Sequence, residues 1–266
     1  MSYVPLGLGH LVLAALLLLA NAAISLLFDL RLERTLAVAA ARMVVQLALV
    51  GVVLQFIFAQ TSPAWTLLAA AVMVIAAGYE AQARQERRIA GWGTFGLGTS
   101  TLLMVGTVAT LFAVAGVIRP DPWYAPRYAL PLLGMVLGNA MTGVALVLDA
   151  LTTAASRARA GIEARLALGA TRFAALHDVL RHSLRTGMMP IINAMAATGI
   201  VALPGMMTGQ ILAGADPVDA AKYQMMIMFV IAGATAMAVV LGGIGGVLLI
   251  TDERHRLRLD RLSRRK

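Results

Sequence analysis

The chain offers few residues that could do chemistry. Its 266 residues include no cysteine, which removes disulfides, thiolate metal sites and thiol nucleophiles. The two lysines, Lys222 and Lys266, follow Ala221 and Arg265. A phosphate-cradling P-loop needs a lysine preceded by glycine, so the chain carries no ATPase motif of its own. His10 lies near the outer end of an apolar run, and His177, His182 and His255 fall in polar segments. None makes a ligand pair with a carboxylate at helical spacing inside an apolar run. Met195, Met206, Met207, Met225, Met226 and Met228 crowd the last third of the chain. Thioethers are soft ligands that suit Cu(I), whereas iron prefers nitrogen and oxygen; this set reads as adaptable packing. Arg42, with Gln46 one turn deeper, is the one charge set well inside an apolar run, and such a residue is a functional candidate by default. Three readings of Arg42 stay open. It lines a polar path and favours an anionic cargo, it snorkels to a surface about 9 Å away, or it pairs with Glu80 or Asp149. Asn139 is a second polar candidate, with an interhelical hydrogen bond as its plainer role.

These residues sit in a chain that mostly avoids water. Hydrophobic residues make up 60% and charged residues 13%, against roughly half and a quarter in soluble domains. Apolar runs of about 20 residues, enough to cross a bilayer, recur along the whole length. The fold expected is all-α: a polytopic membrane protein of about seven transmembrane helices in one permease-like domain over 1–266. The spans are read at about 6–28, 36–59, 64–83, 94–118, 128–151, 186–213 and 220–250. The first has no basic flank and too long an apolar run for a cleaved signal, so it is expected to be retained.

Charge sets the orientation. Eighteen of the 22 basic residues fall in 29–35, 84–91, 152–185 and a basic tail, 251–266. Arg119, Arg127 and Lys222 fall in the alternate connections. That asymmetry predicts an outside N-terminus and a cytoplasmic C-terminus, in a bacterial cytoplasmic (inner) membrane. The net charge of +9 is therefore topological. It provides for contact of the tail with anionic lipid and excludes nucleic acid as a partner. Trp65, Trp92 and Trp123 with Tyr124 lie at span ends and read as interfacial anchors.

One segment is wet. "ARAGIEARLALGATRFAALHDVLRHSLR" (158–185) places Ile162, Leu166, Gly169, Phe173, Leu176, Leu180 and Leu184 at steps of three and four, one apolar stripe at helical period. Gly169, Ala170 and Thr171 form a break, because glycine ends one helix and threonine caps the next. By its residues alone the segment is either a helix lying on lipid or a docking element for a soluble partner.

"EARLALGA" resembles the coupling motif of ABC-transporter permeases, whose cytoplasmic helix fits a groove on an ATP-binding subunit. Glu163, Ala164 and Gly169 match it, and Arg165 stands where a second alanine is common. Glu163 is expected near the helix start, favoured by the dipole. "GIVALPGMMTGQILAGADPVDAAKYQ" (199–224) more specifically resembles the permease family that contains the iron-export permease FetB and the plant aluminium-tolerance membrane subunits. "GMVLGNAM" (134–141) and "RMVVQLALVGVVLQFIF" (42–58) resemble the same family. The resemblance implies an exporter of iron or another metal, with no cofactor in this chain. It also implies ATP and Mg on a separate ATP-binding subunit, and two permeases working with two ATPases. A nucleotide sugar is the alternative cargo.

The residues of the 199–224 segment carry their own signal. Pro204 removes a backbone hydrogen bond, and Gly205 beside it adds freedom. A bend lining a translocation path, with Met206, Met207, Thr208 and Gln210 nearby, weighs equally with a packing kink. Pro190 is either another bend or a first-turn proline. Gly205 with Gly209, Gly134 with Gly138 and Gly242 with Gly246 are small-xxx-small pairs that suggest close helix packing. A secondary transporter would need intramembrane carboxylates for its coupling ion, yet Asp29, Glu80 and Asp149 sit near span ends and Asp216 and Asp219 outside. No nucleophile, base and orienter assemble within the spans, which argues against an enzyme.

Overall fold

A computed structural model describes residues 7–59, 62–85, 87–89 and 93–264. The protein is an all-α polytopic membrane protein with one small β-ribbon. Among the described residues six helices are long and apolar enough to cross a bilayer. The chain divides into two compact units, Met1–Thr61 and Ser62–Lys266.

The first unit is a helical hairpin of α1 (Leu8–Leu27) and α2 (Glu33–Ala59). Ser25 closes its turn: the Leu32 N–H donates to Ser25 Oγ at 2.9 Å, and Ser25 Oγ donates to Glu33 Oε2 at 3.1 Å. Asp29 and Arg31 supply the reversal with positive φ of 49° and 55°. Arg42 and Gln46 lie one turn apart on α2, and both are exposed.

The second unit begins with α3 (Pro63–Ala83), capped by Ser62, whose Oγ accepts the Ala64 N–H at 3.3 Å. The strand β1 (Arg87–Ile89) and α4 (Gly93–Leu111) follow, and α4 passes directly into a π-helical turn, Phe112–Ile118. Next come α5 (Pro126–Arg157), α6 (Arg159–Ala167), α7 (Arg172–Ala175), α8 (His177–Ala197), α9 (Gly205–Leu212) and α10 (Pro217–Ile250). Trp65 opens α3 and Trp123 precedes α5, both partly exposed; Trp92 lies outside the described residues.

α5 is the axis of this unit. Val136, Ala140, Val144 and Val147 are fully buried along it, with Ala238 and Val239 of α10 in the same core. In lipid the hydrophobic effect does not drive helices together, so close van der Waals packing must. Here backbones approach closely. A Cβ added to Gly187 of α8 would stand 3.0 Å from the Gly143 carbonyl oxygen of α5. One added to Gly246 of α10 would meet Leu151 and Leu148 side-chain carbons at 2.6 and 2.8 Å, and Gly242 faces Val147 and Val144. The Gly242/Gly246 pair therefore packs within the chain. A Cβ on Gly134 would touch the tip of Met73, while Gly138, Gly205 and Gly209 face open space.

A second cluster sits where α5 and α10 end. Leu151 and Ala155, Ile162 of α6, Ala175 and Leu176, and Val247 and Ile250 are all buried there. The segment after α10 belongs to this cluster rather than forming a loose tail. Thr251 bridges to Leu257, and a 3-10 turn (Leu259–Arg261) leads into β2 (Leu262–Arg264), which pairs antiparallel with β1. Leu257, Leu259 and Leu262 pack on the cluster.

The expected single span at 186–213 requires correction. α8 stops at Ala197 and α9 starts at Gly205. The break has local causes. Gly199 takes φ +90°, a conformation costly for side-chain-bearing residues. Leu203 precedes a proline, which disfavours the helical region. Pro204 has no N–H to continue a ladder and serves instead as the N-cap of α9. Pro190 is neither at a first turn nor at this break, since α8 begins thirteen residues before it at His177. α8 is about 31 Å long and α10 about 51 Å. α8 starts at the cluster where α10 ends, and α9 leads to the start of α10. The chain thus travels the length of α10 along a broken route.

Candidate functional site

The wet segment forms an elbow whose apolar face is already occupied. α5 and α6 meet at Ala158, and Ile162, Ala175 and Leu176 point into the platform cluster, with Leu166 and Leu180 against it. A helix lying on lipid would keep that stripe outward; here it packs on the ends of α5 and α10. Gly169, at φ +89°, ends α6, and Thr171 Oγ1 accepts the Ala174 N–H at 3.3 Å to cap α7. The expected break is therefore present, and a β-carbon on Gly169 would meet nothing within 4 Å.

Polar contacts hold the elbow from both sides. Arg165 donates to Asp178 Oδ2 at 2.9 Å, tying α6 to α8. That guanidinium, with His177 adding to it, holds the Asp178 carboxyl below the usual carboxylate range. His255 Nδ1 accepts the Arg172 N–H at 3.4 Å, so the segment after α10 reaches the start of α7. Asp252 accepts the N–H groups of Arg254 and Arg256 at 3.0 and 2.8 Å, and its pKa is lowered, chiefly by the Arg256 bond.

Glu163 stands differently from expectation. It falls in the second turn of α6, beyond the reach of unsatisfied N–H groups, and its carboxylate accepts from Arg159 Nε at 2.8 Å. An exposed pair of this kind contributes little to stability, so Glu163 remains available to a partner. Ala164 and Gly161 are exposed beside it. Leu168, absent from the apolar stripe read in the sequence, is 88% exposed at the tip. Its signal was its place: an apolar residue off the stripe, immediately before the terminating glycine. The elbow thus presents the Glu163 carboxylate over a small-residue floor, with Leu168 and Phe173 as exposed apolar side chains and Asp178 paired to Arg165.

The remaining candidates gather only in part. Arg42 and Gln46 belong to the first unit. Asn139 donates its amide to the Met135 carbonyl at 2.9 Å within its own helix, not to a neighbour. Thr208 likewise bonds back to the Pro204 carbonyl at 3.2 Å. Met206 packs against the core, and Gln210 keeps a buried Oε1 without a partner. Pro204 and Met207 line a cavity of about 490 Å³ between the helix break and α10. Gly205 is exposed at its rim. Among the described residues no group of three or more His, Cys, Asp or Glu is placed to hold a metal ion.

No solved structure matches the chain. Among curated proteins, the UPF0014 membrane protein slr1647 of Synechocystis is 38% identical over 218 residues, covering 80% of this chain and 82% of that protein. The protein ALUMINUM SENSITIVE 3 of Arabidopsis thaliana is 34% identical, over 79% of this chain and 75% of its own. The probable iron export permease protein FetB of Escherichia coli is 29% identical across 96% of both chains. Residues 8–247 match the profile of an uncharacterised protein family, UPF0014, and the chain belongs to that family.

Proposed function

We propose that this chain is the membrane-spanning permease subunit of an ATP-driven ABC exporter, powered by a separate ATP-binding subunit that docks on the 152–185 elbow. The observation that carries the reading is the elbow itself. Ile162, Leu166, Leu176 and Leu180 of its apolar stripe pack against α5 and α10, so the surface left over is polar and small-residued, with Leu168 at the tip and Phe173 exposed beside Arg172. A push on that tip reaches the ends of α5, α8 and α10 through one packed cluster. The chain has no P-loop, so the ATP and Mg belong to the partner, and two permeases with two ATPases complete the assembly.

The distribution of basic residues supports a cytoplasmic elbow and C-terminal segment, and the proposed setting is a bacterial inner membrane. The broken α8–α9 route then counts as a crossing, giving seven in all and an outside N-terminus. The name of the Escherichia coli relative supports iron or another metal as cargo. A second reading, an anionic organic cargo such as a nucleotide sugar, is favoured by Arg42 within α2.

Co-purification tests the proposal. The chain extracted from its native membranes should bring down a P-loop ATPase, and inverted vesicles holding both should accumulate cargo only with ATP. Transport by the purified chain alone would overturn it. Arg42→Ala separates the cargoes: abolished transport supports the anionic cargo, and undiminished metal transport removes Arg42 from the path.

A further inference from the structure

The helix break does more than bend the chain: it turns methionines from three helices toward one space. Met195 comes from the last turn of α8, Met207 from α9, and Met225 and Met228 from one side of α10, being three residues apart. All four line the cavity of about 490 Å³ beneath the break. Gln224 lines it too; it is 94% buried, and its Oε1 has no hydrogen-bond partner. A buried carbonyl oxygen left unpaired costs about 1–3 kcal/mol, so this acceptor asks for a donor or a cation. Thr198 is the other polar side chain of the lining, its hydroxyl donating to the Ala194 carbonyl at 2.7 Å, and the walls carry no carboxylate.

We infer that this cavity binds a soft monovalent cation, Cu(I) or its analogue Ag(I), through methionine thioethers with Gln224 Oε1 as an auxiliary oxygen. The chemistry follows from the donors. Thioethers are neutral and polarisable and select Cu(I) over harder ions. Iron, as a divalent or trivalent ion, would find no anionic ligand there to offset its charge. Transport of the bound ion rests on the permease reading above; binding does not.

The absence of cysteine makes the test clean. The chain, purified without a polyhistidine tag into lipid nanodiscs, is titrated with Ag(I) by calorimetry and with Cu(I) under a competing chelator. X-ray absorption then reads the ligand shell, where any sulfur must be methionine. One ion per chain with a sulfur shell is expected. Met207→Leu with Met228→Leu, a volume-conserving pair, should weaken binding at least tenfold. Met104→Leu with Met237→Leu, in the separate apolar groove between α4 and α10, should leave it unchanged. No binding, a shell of nitrogen and oxygen alone, equal weakening by both pairs, or displacement of the ion by Fe(II) would each overturn the inference. Since no ATP or partner enters these measurements, their failure leaves the ATP-coupling proposal standing, and the reverse holds.

Discussion

The two halves of the route along α10 are built on opposite rules. Below, α5, α8 and α10 approach through glycines until backbone nearly touches backbone, and the platform cluster ties their ends to the elbow. Above, residues 198–204 leave the helix, Ile200 is 91% exposed, Gly205 and Gly209 touch nothing, and Gln210 and Gln224 hold unpaired oxygens. The packed half suits transmission of a displacement, because close-packed interiors pass strain rather than absorb it. The open half suits binding, because non-helical backbone at membrane depth persists where it borders a cavity or protein. Stability and cargo chemistry are thereby assigned to different stretches of the same helices.

The largest expected effect falls on the packed half. Gly187→Val would drive a branched side chain against the Gly143 carbonyl and Val239. Overpacking costs about 1–3 kcal/mol, more where backbone is the obstacle, so thermal unfolding in detergent should shift sharply downward. An unchanged midpoint would mean that α5 and α8 are not locked at this contact. Gly199→Ala probes the break itself. An alanine held at φ near +90° is strained by about 1–2 kcal/mol, which should appear as a smaller loss of stability. Gly209→Ala should move stability by less than about 0.5 kcal/mol. If it nonetheless splits a dimer on size-exclusion, the open half is a face for a second copy.

The smallest effect is one of pH. The Asp178 carboxyl is held below its ordinary range by Arg165. Its contribution is thus fully present above the unfolded carboxylate range and is lost as pH falls through the lowered value. Protease sensitivity of the 152–185 segment should stay flat from neutral pH to about pH 5 and rise only in stronger acid. Asp178→Asn should flatten that rise. A rise already at mildly acidic pH would mean that the Arg165–Asp178 pair is not what holds the segment.

Much of this was legible in the residues, for identifiable reasons. Long apolar runs fix helices, and Gly169 with Thr171 marked the elbow break because each has one strong local preference. Features that depend on neighbours were less legible. The residues place one span at 186–213 with a bend or kink at Pro204, and they do not register the φ of Gly199, which turns that bend into a full break. The segment after α10 reads by composition only as a basic tail, because Leu257, Leu259 and Leu262 are sparse among arginines and acquire meaning only against Ile162 and Ile250. For Asn139, a polar path candidate with an interhelical bond as its plainer role, the amide instead finds the carbonyl one turn back in its own helix. That four of the methionines line one cavity depends on the break, which their spacing alone does not register.

The central claim is that a soluble ATPase grips the elbow tip. Leu168→Asp and Glu163→Arg change only exposed side chains there, so membrane insertion and thermal stability should hold. Binding of the co-purifying ATP-binding subunit to the wild-type chain and to each variant in nanodiscs measures the claim directly. Both variants should lose the ATPase and its cargo-stimulated hydrolysis while remaining folded. Retention of full binding and coupled hydrolysis by the doubly substituted chain would contradict it.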